Sequence, residues 1–336
     1  EAARSAEPPL VPGLLCDLAD VRTELGEYAR AGDLYREASD LESTARALAG
    51  EAASLRRRGS YADAEALLRS ALDTPMGGDQ RVVWRELSWV LSVSGDLEGS
   101  LASAAHGLGL ANGGDAEAGL LLCQMVRCET LLGRFDAAQE HLLRAVDNLE
   151  RAGDLVGLCT ALRLQGSLEE RTGALDEAAA TLQRGLELAE RTGLAEEEVG
   201  GCLINLGLVH GARADHQAAS DCYARAAVTF EQTGNRAGRA MAYGNRAYEL
   251  LALGESDAAA ELALRGLALA DEVGNHMTAA DIHHTLAMIS EALADLPAAR
   301  AEAELAIAEF ERAGMPEAAQ ESRALIERVS GTTPGR

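Results

Sequence analysis

Eight times along the 336-residue chain a small residue stands seven positions after another small one. The pairs are Ala31 and Ala38, Ala64 and Ala71, Ser100 and Gly107, Ala138 and Ala145, Ala178 and Gly185, Ala219 and Ala226, Ala259 and Gly266, and Ala299 and Ala306. Seven residues are about two helical turns, so each pair marks one face of one helix. Small side chains at one depth in successive units let helix backbones approach closely, as stacked helical hairpins require. The chain is therefore expected to be a solenoid whose function is carried by a surface.

Five residues ahead of each pair stands a Gly or Ala: Gly26, Gly59, Gly95, Gly133, Gly173, Ala214, Gly254 and Ala294. The steps between them are 33, 36, 38, 40, 41, 40 and 40 residues. These positions are predicted to break the helix. Two residues later a bulky side chain follows in six of eight repeats (Tyr28, Tyr61, Leu97, Phe135, Leu175, Leu296), while His216 and Ser256 stand there in the other two. Seven residues before the break comes another small residue: Ala19, Ala52, Ser88, Gly166, Gly207, Ala247 and Ala287, with Val126 the outlier. In repeat three, Trp84, Leu87, Ser88 and Leu91 fall on one helical face. Each repeat reads as helix A, a turn, and helix B.

This pattern resembles the tetratricopeptide repeat family, whose motif places Trp, Leu, Gly and Tyr in helix A and Ala, Phe, Ala and Pro in helix B. Repeat six carries the helix B part as Ala219, Tyr223 and Ala226. The closing Pro is generally replaced by a Gly that reads as a helix C-cap: Gly153, Gly193, Gly234, Gly274 and Gly314. The resemblance covers residues 14 to 330 and implies an all-α, right-handed superhelical solenoid of about eight repeats closed by a capping helix. The expected organisation is an extended leader over 1–13, repeats over 14–315, a capping helix over 316–330 opened by Pro316, and a disordered tail over 331–336. Pro8, Pro9 and Pro12 are the reason for the extended leader, and Ala319, Arg323 and Glu327 are expected on the polar faces of the cap.

Aromatic residues make up only 3% of the chain, which suits thin helix-to-helix interfaces. The net charge is −24 and there is no Lys. Such a surface repels phosphate backbones and anionic lipid, so neither nucleic acid nor a membrane is an expected partner. Its acidity serves solubility or attracts a basic peptide or domain. No signal segment or apolar membrane span is visible. Cys16, Cys123, Cys128, Cys159, Cys202 and Cys222 show no CxxC spacing and are expected as buried thiols in a reducing cytoplasm.

Motifs for chemistry are missing. No phosphate loop, HExxH or GxSxG sequence occurs. Asp281 and His284 share a helix face, but two groups fall short of a structural metal site, so no metal, no cofactor and no catalytic residue is expected. A groove enzyme using Asp281, His284 and Glu170 as acid and base candidates is kept as the third-ranked class.

The family resemblance implies an inner, concave wall built mainly from helix A. Carried over residue by residue, its wall positions fall on Gln124 and Arg127 in repeat four, and on Arg163, Ser167 and Glu170 in repeat five. Repeat six contributes Gly201 and Asn205, repeat seven Gly244, Asn245 and Tyr248, and repeat eight Asp281 and His284. Asn205 and Asn245 occupy the same position in consecutive repeats. Each either grips the main chain of an extended peptide or bonds a neighbouring helix. Gly201, Gly211 and Gly244 reflect close helix packing or close approach of a ligand backbone. The repeats ending in Gly-Asp or Gly-Asn also look like the C-terminal sensor arrays of large bacterial signalling ATPases, including maltose-regulator-type activators and cyclase-linked regulators. That likeness implies a non-catalytic regulatory module that binds a protein or peptide, with ATPase and output domains upstream. A receptor for a small-molecule or peptide inducer is the alternative.

Overall fold

The computed structural model describes residues 11–24, 27–111, 114–193, 196–313, 315 and 318–331. Among them the chain is all helical, and an isolated bridge between Thr44 and Gly77 is the only extended pairing. Repeat one consists of α1 (Val11–Glu24) and α2 (Tyr28–Leu41), and repeat two of α3 (Ala45–Arg57) and α4 (Tyr61–Leu72). Repeat three is α5 (Arg81–Val93) and α6 (Leu97–Gly109), and repeat four α7 (Ala116–Leu131) and α8 (Phe135–Ala152). Repeat five is α9 (Leu155–Arg171) and α10 (Leu175–Thr192), and repeat six α11 (Glu196–Ala212) and α12 (His216–Gln232). Repeat seven is α13 (Arg236–Ala252) and α14 (Ser256–Glu272), repeat eight α15 (His276–Ala292) and α16 (Leu296–Arg312), and α17 (Gln320–Gly331) ends the array.

Every member of the paired small-residue column is buried. The small position of helix A behaves in the same way: a Cβ on Gly166 would lie 2.4 Å from Leu182 Cγ, and one on Gly207 2.4 Å from Tyr223 Cε1. Helix A and helix B thus meet through missing side-chain volume on one side and a large side chain on the other. Where both partners are small and polar, in repeat three, Ser100 Oγ donates to the Ser88 carbonyl at 2.6 Å.

The breaks have a backbone cause. Gly59, Gly95, Gly133, Gly173 and Gly254 all have left-handed φ angles between 72° and 87°. Ala214 and Ala294 adopt the same region at φ 59° and 60°. Gly26 and Gly314 lie outside the described residues. The C-cap reading of Gly153, Gly193, Gly234 and Gly274 is met by φ values of 61° to 69°. The residue that follows often caps the next helix: Asp154 accepts from Gly157 N at 2.9 Å, Asn235 from Gly238 N at 2.8 Å, and Asn275 from Thr278 N at 3.1 Å.

Residues 11–24 are helical, so Pro12 and Gly13 lie in helix α1 and not in an extended leader, whose residues 1–10 lie outside the described residues. Helix α17 starts at Gln320, later than a helix opened by Pro316 would, and residues 316–317 lie outside the described residues. Ala319 is fully buried, and so are Ser322 and Leu325, which press on repeat eight, whereas Arg323 and Glu327 are exposed.

The chain forms two compact bodies, one of residues 1–198 with 232–234 and one of 199–231 with 235–336. In each, helix A of one repeat packs on helix A of the next: α1 on α3, α3 on α5, α5 on α7 and α7 on α9 in the first, and α13 on α15 in the second. Helices α2, α4, α6, α8 and α14 each pack mainly on the A helices before and after them, α10 packs on α9, and α16 packs on α15 and the capping helix α17. Within each body these A helices make one layer and their B helices the other.

Gly133 and Gly173 have open space where a Cβ would stand, so only φ separates them from alanine. Gly173→Ala is expected to lose about 1 kcal/mol, and Ala294→Gly to gain roughly half to all of that. Thermal denaturation followed by circular dichroism checks the pair; equal melting temperatures for both variants and the parent would contradict it.

Candidate functional site

Residues at equal distances before their turns occupy the same face of their own helix A. Six residues before the turn stand Trp89, Arg127, Ser167 and Tyr248, and nine before it Glu86, Gln124, Asn205 and Asn245. Ten before it come Arg85, Arg163, Gly244 and His284.

In the first body this face is a ladder of charges. Arg56 on α3 bonds Glu86 on α5 at 3.3 Å, and Arg85 on α5 reaches Glu86 at 3.2 Å and Glu117 on α7 at 2.7 Å. Arg163 on α9 meets Glu198 on α11 at 2.7 Å, where Thr160 also donates at 3.0 Å. Arg57 reaches Glu197 at 3.2 Å. Burial works against the Glu86 carboxylate, yet Arg56 and Arg85 outweigh it and hold the group below the usual carboxylate range. Trp89 carries two guanidinium groups over its ring, Arg56 at 4.2 Å and Arg127 at 4.6 Å from the centroid. Contacts of this kind contribute about 0.5 to 2 kcal/mol each.

Arg127 breaks the pattern of paired charges. It has no carboxylate partner among the described residues, and its buried Nε meets no acceptor. One turn earlier on α7, Gln124 is only 5% exposed and its Oε1 meets no donor. Burial first, then the neighbouring Arg163, push the Arg127 guanidinium down to about 10.

In the second body the same face opens a cavity of about 250 Å³. Gly244, Asn245 and Tyr248 from α13 line it together with Asp281, His284 and Thr285 from α15, Phe310 from α16, and Glu321 and Ser322 from α17. His284 Nδ1 lies 2.9 Å from Ser322 Oγ, and burial keeps the ring below the ordinary histidine range. Desolvation, helped by Glu321, pushes the Asp281 carboxyl up to about 6. The Asn245 amide and the Asp281 carboxyl make no side-chain hydrogen bond among the described residues. Tyr248 is 45% exposed.

Four of the expected wall residues, Asn245, Tyr248, Asp281 and His284, thus meet in one cavity, and Gln124, Arg127, Arg163, Ser167 and Glu170 stand on the A layer of the first body. Asn205 lies half-buried in α11. At Gly244 close packing has a direct witness: a Cβ there would stand 2.7 Å from Ile282 Cγ1. His284 pairs with Ser322 and not with Asp281, so those two form no acid-base couple. No cluster of three or more His, Cys, Asp or Glu side chains able to hold a metal occurs among the described residues. Sequence reasoning left out Arg56, Arg85, Glu86 and Trp89, although counting back from Gly59 and Gly95 puts them in the same register as the residues it named.

Residues 117–191 match the tetratricopeptide repeat model. No curated protein matches the sequence significantly. Among solved structures, a Rap protein complexed with competence and sporulation factor superposes with a TM-score of 0.64 at 14% identity, over 95% of this chain and 98% of that one. A signal transduction ATPase with numerous domains from Pyrococcus horikoshii, which carries a tetratricopeptide repeat sensor, gives 0.59 at 15% over 93% of this chain and 50% of that one. The Cut9–Hcn1 assembly of the APC/C gives 0.67 at 15% over 95% and 55%. The chain spans about half the length of the last two. At these identities the likeness is one of fold, and the fold is that of a tetratricopeptide repeat array.

Glu86→Gln removes the charge that Arg56 and Arg85 share. Breaking a buried ion pair from one side is expected to cost about 3 kcal/mol at neutral pH. Because the folded-state pKa of Glu86 lies below its unfolded value near 4.5, this stabilisation is complete above that value and is lost as pH falls. Denaturant titrations should show the two proteins converging in acid, and a gap of constant size would contradict the assignment.

Proposed function

We propose that this tetratricopeptide repeat array is a non-catalytic protein- or peptide-binding scaffold with a regulatory role. The observation that carries the reading is the second-body cavity. It gathers an amide, a carboxyl, an imidazole and an exposed phenol ring from two successive repeats, and it leaves Asn245 and Asp281 without hydrogen-bond partners among the described residues. Asn245 is half-buried and Asp281 exposed, so both can bond a ligand in the concavity without giving up a partner inside the fold. Asn245 offers donors and an acceptor to a peptide main chain. Tyr248 and Asp281 suit a cationic side chain, through the ring face and the charge.

Size separates this reading from that of a small-molecule inducer receptor. Sites for drug-sized ligands run from about 300 to 1,000 Å³, and the cavity at about 250 Å³ holds little more than one side chain. The regulatory part of the reading is supported by likeness of fold to a Rap protein solved with competence and sporulation factor and to an ATPase with a repeat sensor. Upstream ATPase or output domains, a basic partner and a cytoplasmic site of action belong to the same proposal. Recovery of the full reading frame tests the first of these.

Peptides selected by display on the intact chain give the probe. Asn245→Ala combined with Tyr248→Ala should weaken a selected peptide by roughly tenfold or more while leaving helicity unchanged. Unaltered affinity would remove the cavity from the account. For a selected peptide with Lys or Arg, affinity should fall as pH drops through about 6, where Asp281 takes up its proton. Asp281→Asn should bind that peptide weakly at every pH.

A further inference from the structure

Helix α1 holds open a face that is closed on other A helices. Leu14, Leu18 and Val21 stand twelve, eight and five residues before the turn at Gly26, a spacing that puts all three on one side of the helix. They are 39%, 40% and 49% exposed. At the count of twelve in their own repeats, Val83, Leu121 and Ile282 are at 0%, and at the count of five Val90, Leu168 and Ile289 are at 0%, 3% and 2%.

What closes this face elsewhere is the helix B just ahead of it. A Cβ on Gly107 of α6 would lie 3.0 Å from Leu121 Cδ2, and one on Gly266 of α14 would lie 3.1 Å from Ile282 Cδ1. At the count of eight, Glu51 on α3 bonds Arg36 on α2 at 2.7 Å. At the count of five, Cys128 Sγ on α7 lies 3.1 Å from Ser100 Oγ on α6, and Glu249 on α13 meets His216 on α12 at 2.7 Å. Ser100 and Gly107 are the two members of one small-residue pair. The residue at twelve therefore meets the second member and the residue at five meets the first, so the interface specifies its own cover: a helix with two small residues seven apart.

Single aliphatic side chains on a surface are ordinary, whereas a contiguous stripe marks a site of interaction. The counterpart of the α1 stripe is Ile282, Leu286 and Ile289 on α15, all apolar and all covered by α14 with its pair Ala259 and Gly266. Helix α17, which covers repeat eight, instead turns Arg323, Glu327 and Arg328 to solvent. We infer that Leu14, Leu18 and Val21 form a docking surface for an amphipathic helix of a partner protein that presents an Ala or Gly pair seven residues apart. The stacking of helix B on the next helix A continues across that contact, with the large side chains of α1 entering the space left by the partner's small ones. The Asp17 carboxylate beside the stripe is already paired with Arg46 at 2.7 Å, so docking leaves no lone charge there. This surface belongs to α1 in the first body and owes nothing to the cavity around Asn245.

The test uses the intact chain, with its Leu and Val methyl resonances as readout. The probe is the blocked peptide of residues 256–272, the α14 sequence, and the control is the same peptide with Gly266→Leu. The α14 peptide should shift the methyl resonances of Leu14, Leu18 and Val21 saturably, and the control should bind roughly tenfold or more weakly, because its added side chain fills the space that Leu14 needs. Leu18→Glu in the chain should abolish the response at an unchanged melting temperature, and Val21→Glu, at the most exposed of the three positions, should do the same.

No saturable shift, or equal affinity for the two peptides, would overturn the proposal. A dimer of the intact chain in sedimentation that Leu18→Glu dissolves would assign the face to a second copy. Peptide binding that requires prior removal of residues 1–10 would assign it to the leader, and a reading frame with such a helix directly ahead of residue 1 would assign it to the same polypeptide. Each of these three results would likewise remove the partner.

Discussion

Close approach of helix A to helix B, made possible by residues with almost no side chain, is the constraint on which the rest of the structure depends. Hairpins of this kind have no thick interior. Each interface is a thin seam in which Gly166 receives Leu182, Gly207 receives Tyr223, and the Ala pairs of helix B sit at zero or near-zero exposure. Because the seam fixes the rotation of both helices, it also fixes which residues of helix A turn away from helix B. The wall of side chains that results is a by-product of packing. Its chemistry is free to vary, since the positions that build the seam and the positions that build the wall do not coincide.

That separation explains what the sequence reveals. The turn column, the small-residue pairs and the Gly caps are local requirements, each with one or two acceptable residue types, so they recur and can be counted. Gly133 and Gly173 are needed for φ, and Gly166 for space. Helix ends were harder to place. Pro12 looked like part of an extended lead, yet it lies within helix α1. The last helix was expected from Pro316 but begins at Gln320.

The wall was legible as a set of positions and not as a set of interactions. Asn245, Tyr248, Asp281 and His284 could be named one repeat at a time, but Phe310, Glu321 and Ser322 come from other helices and carry no mark of their role in the sequence. The pairing of Arg85 with both Glu86 and Glu117 was hidden for the same reason. It is a contact between helices a repeat apart, decided by side-chain reach. The orphaned atoms of Gln124 and Arg127 are visible only once every neighbour has been assigned a partner.

The junctions between repeats have an implication for how such a chain changes over time. At Gly153 and Asp154, Gly234 and Asn235, and Gly274 and Asn275, two adjacent residues finish one helix and start the next. The glycine turns the chain while the Asp or Asn satisfies the first free N–H groups of the following helix. Repeat seven, bounded by such a dipeptide on both sides, therefore carries its own terminators. A gene segment cut and rejoined at such a dipeptide delivers a hairpin whose helix ends are already complete, so arrays of this sort can lengthen or shorten by whole repeats without redesign at the joint.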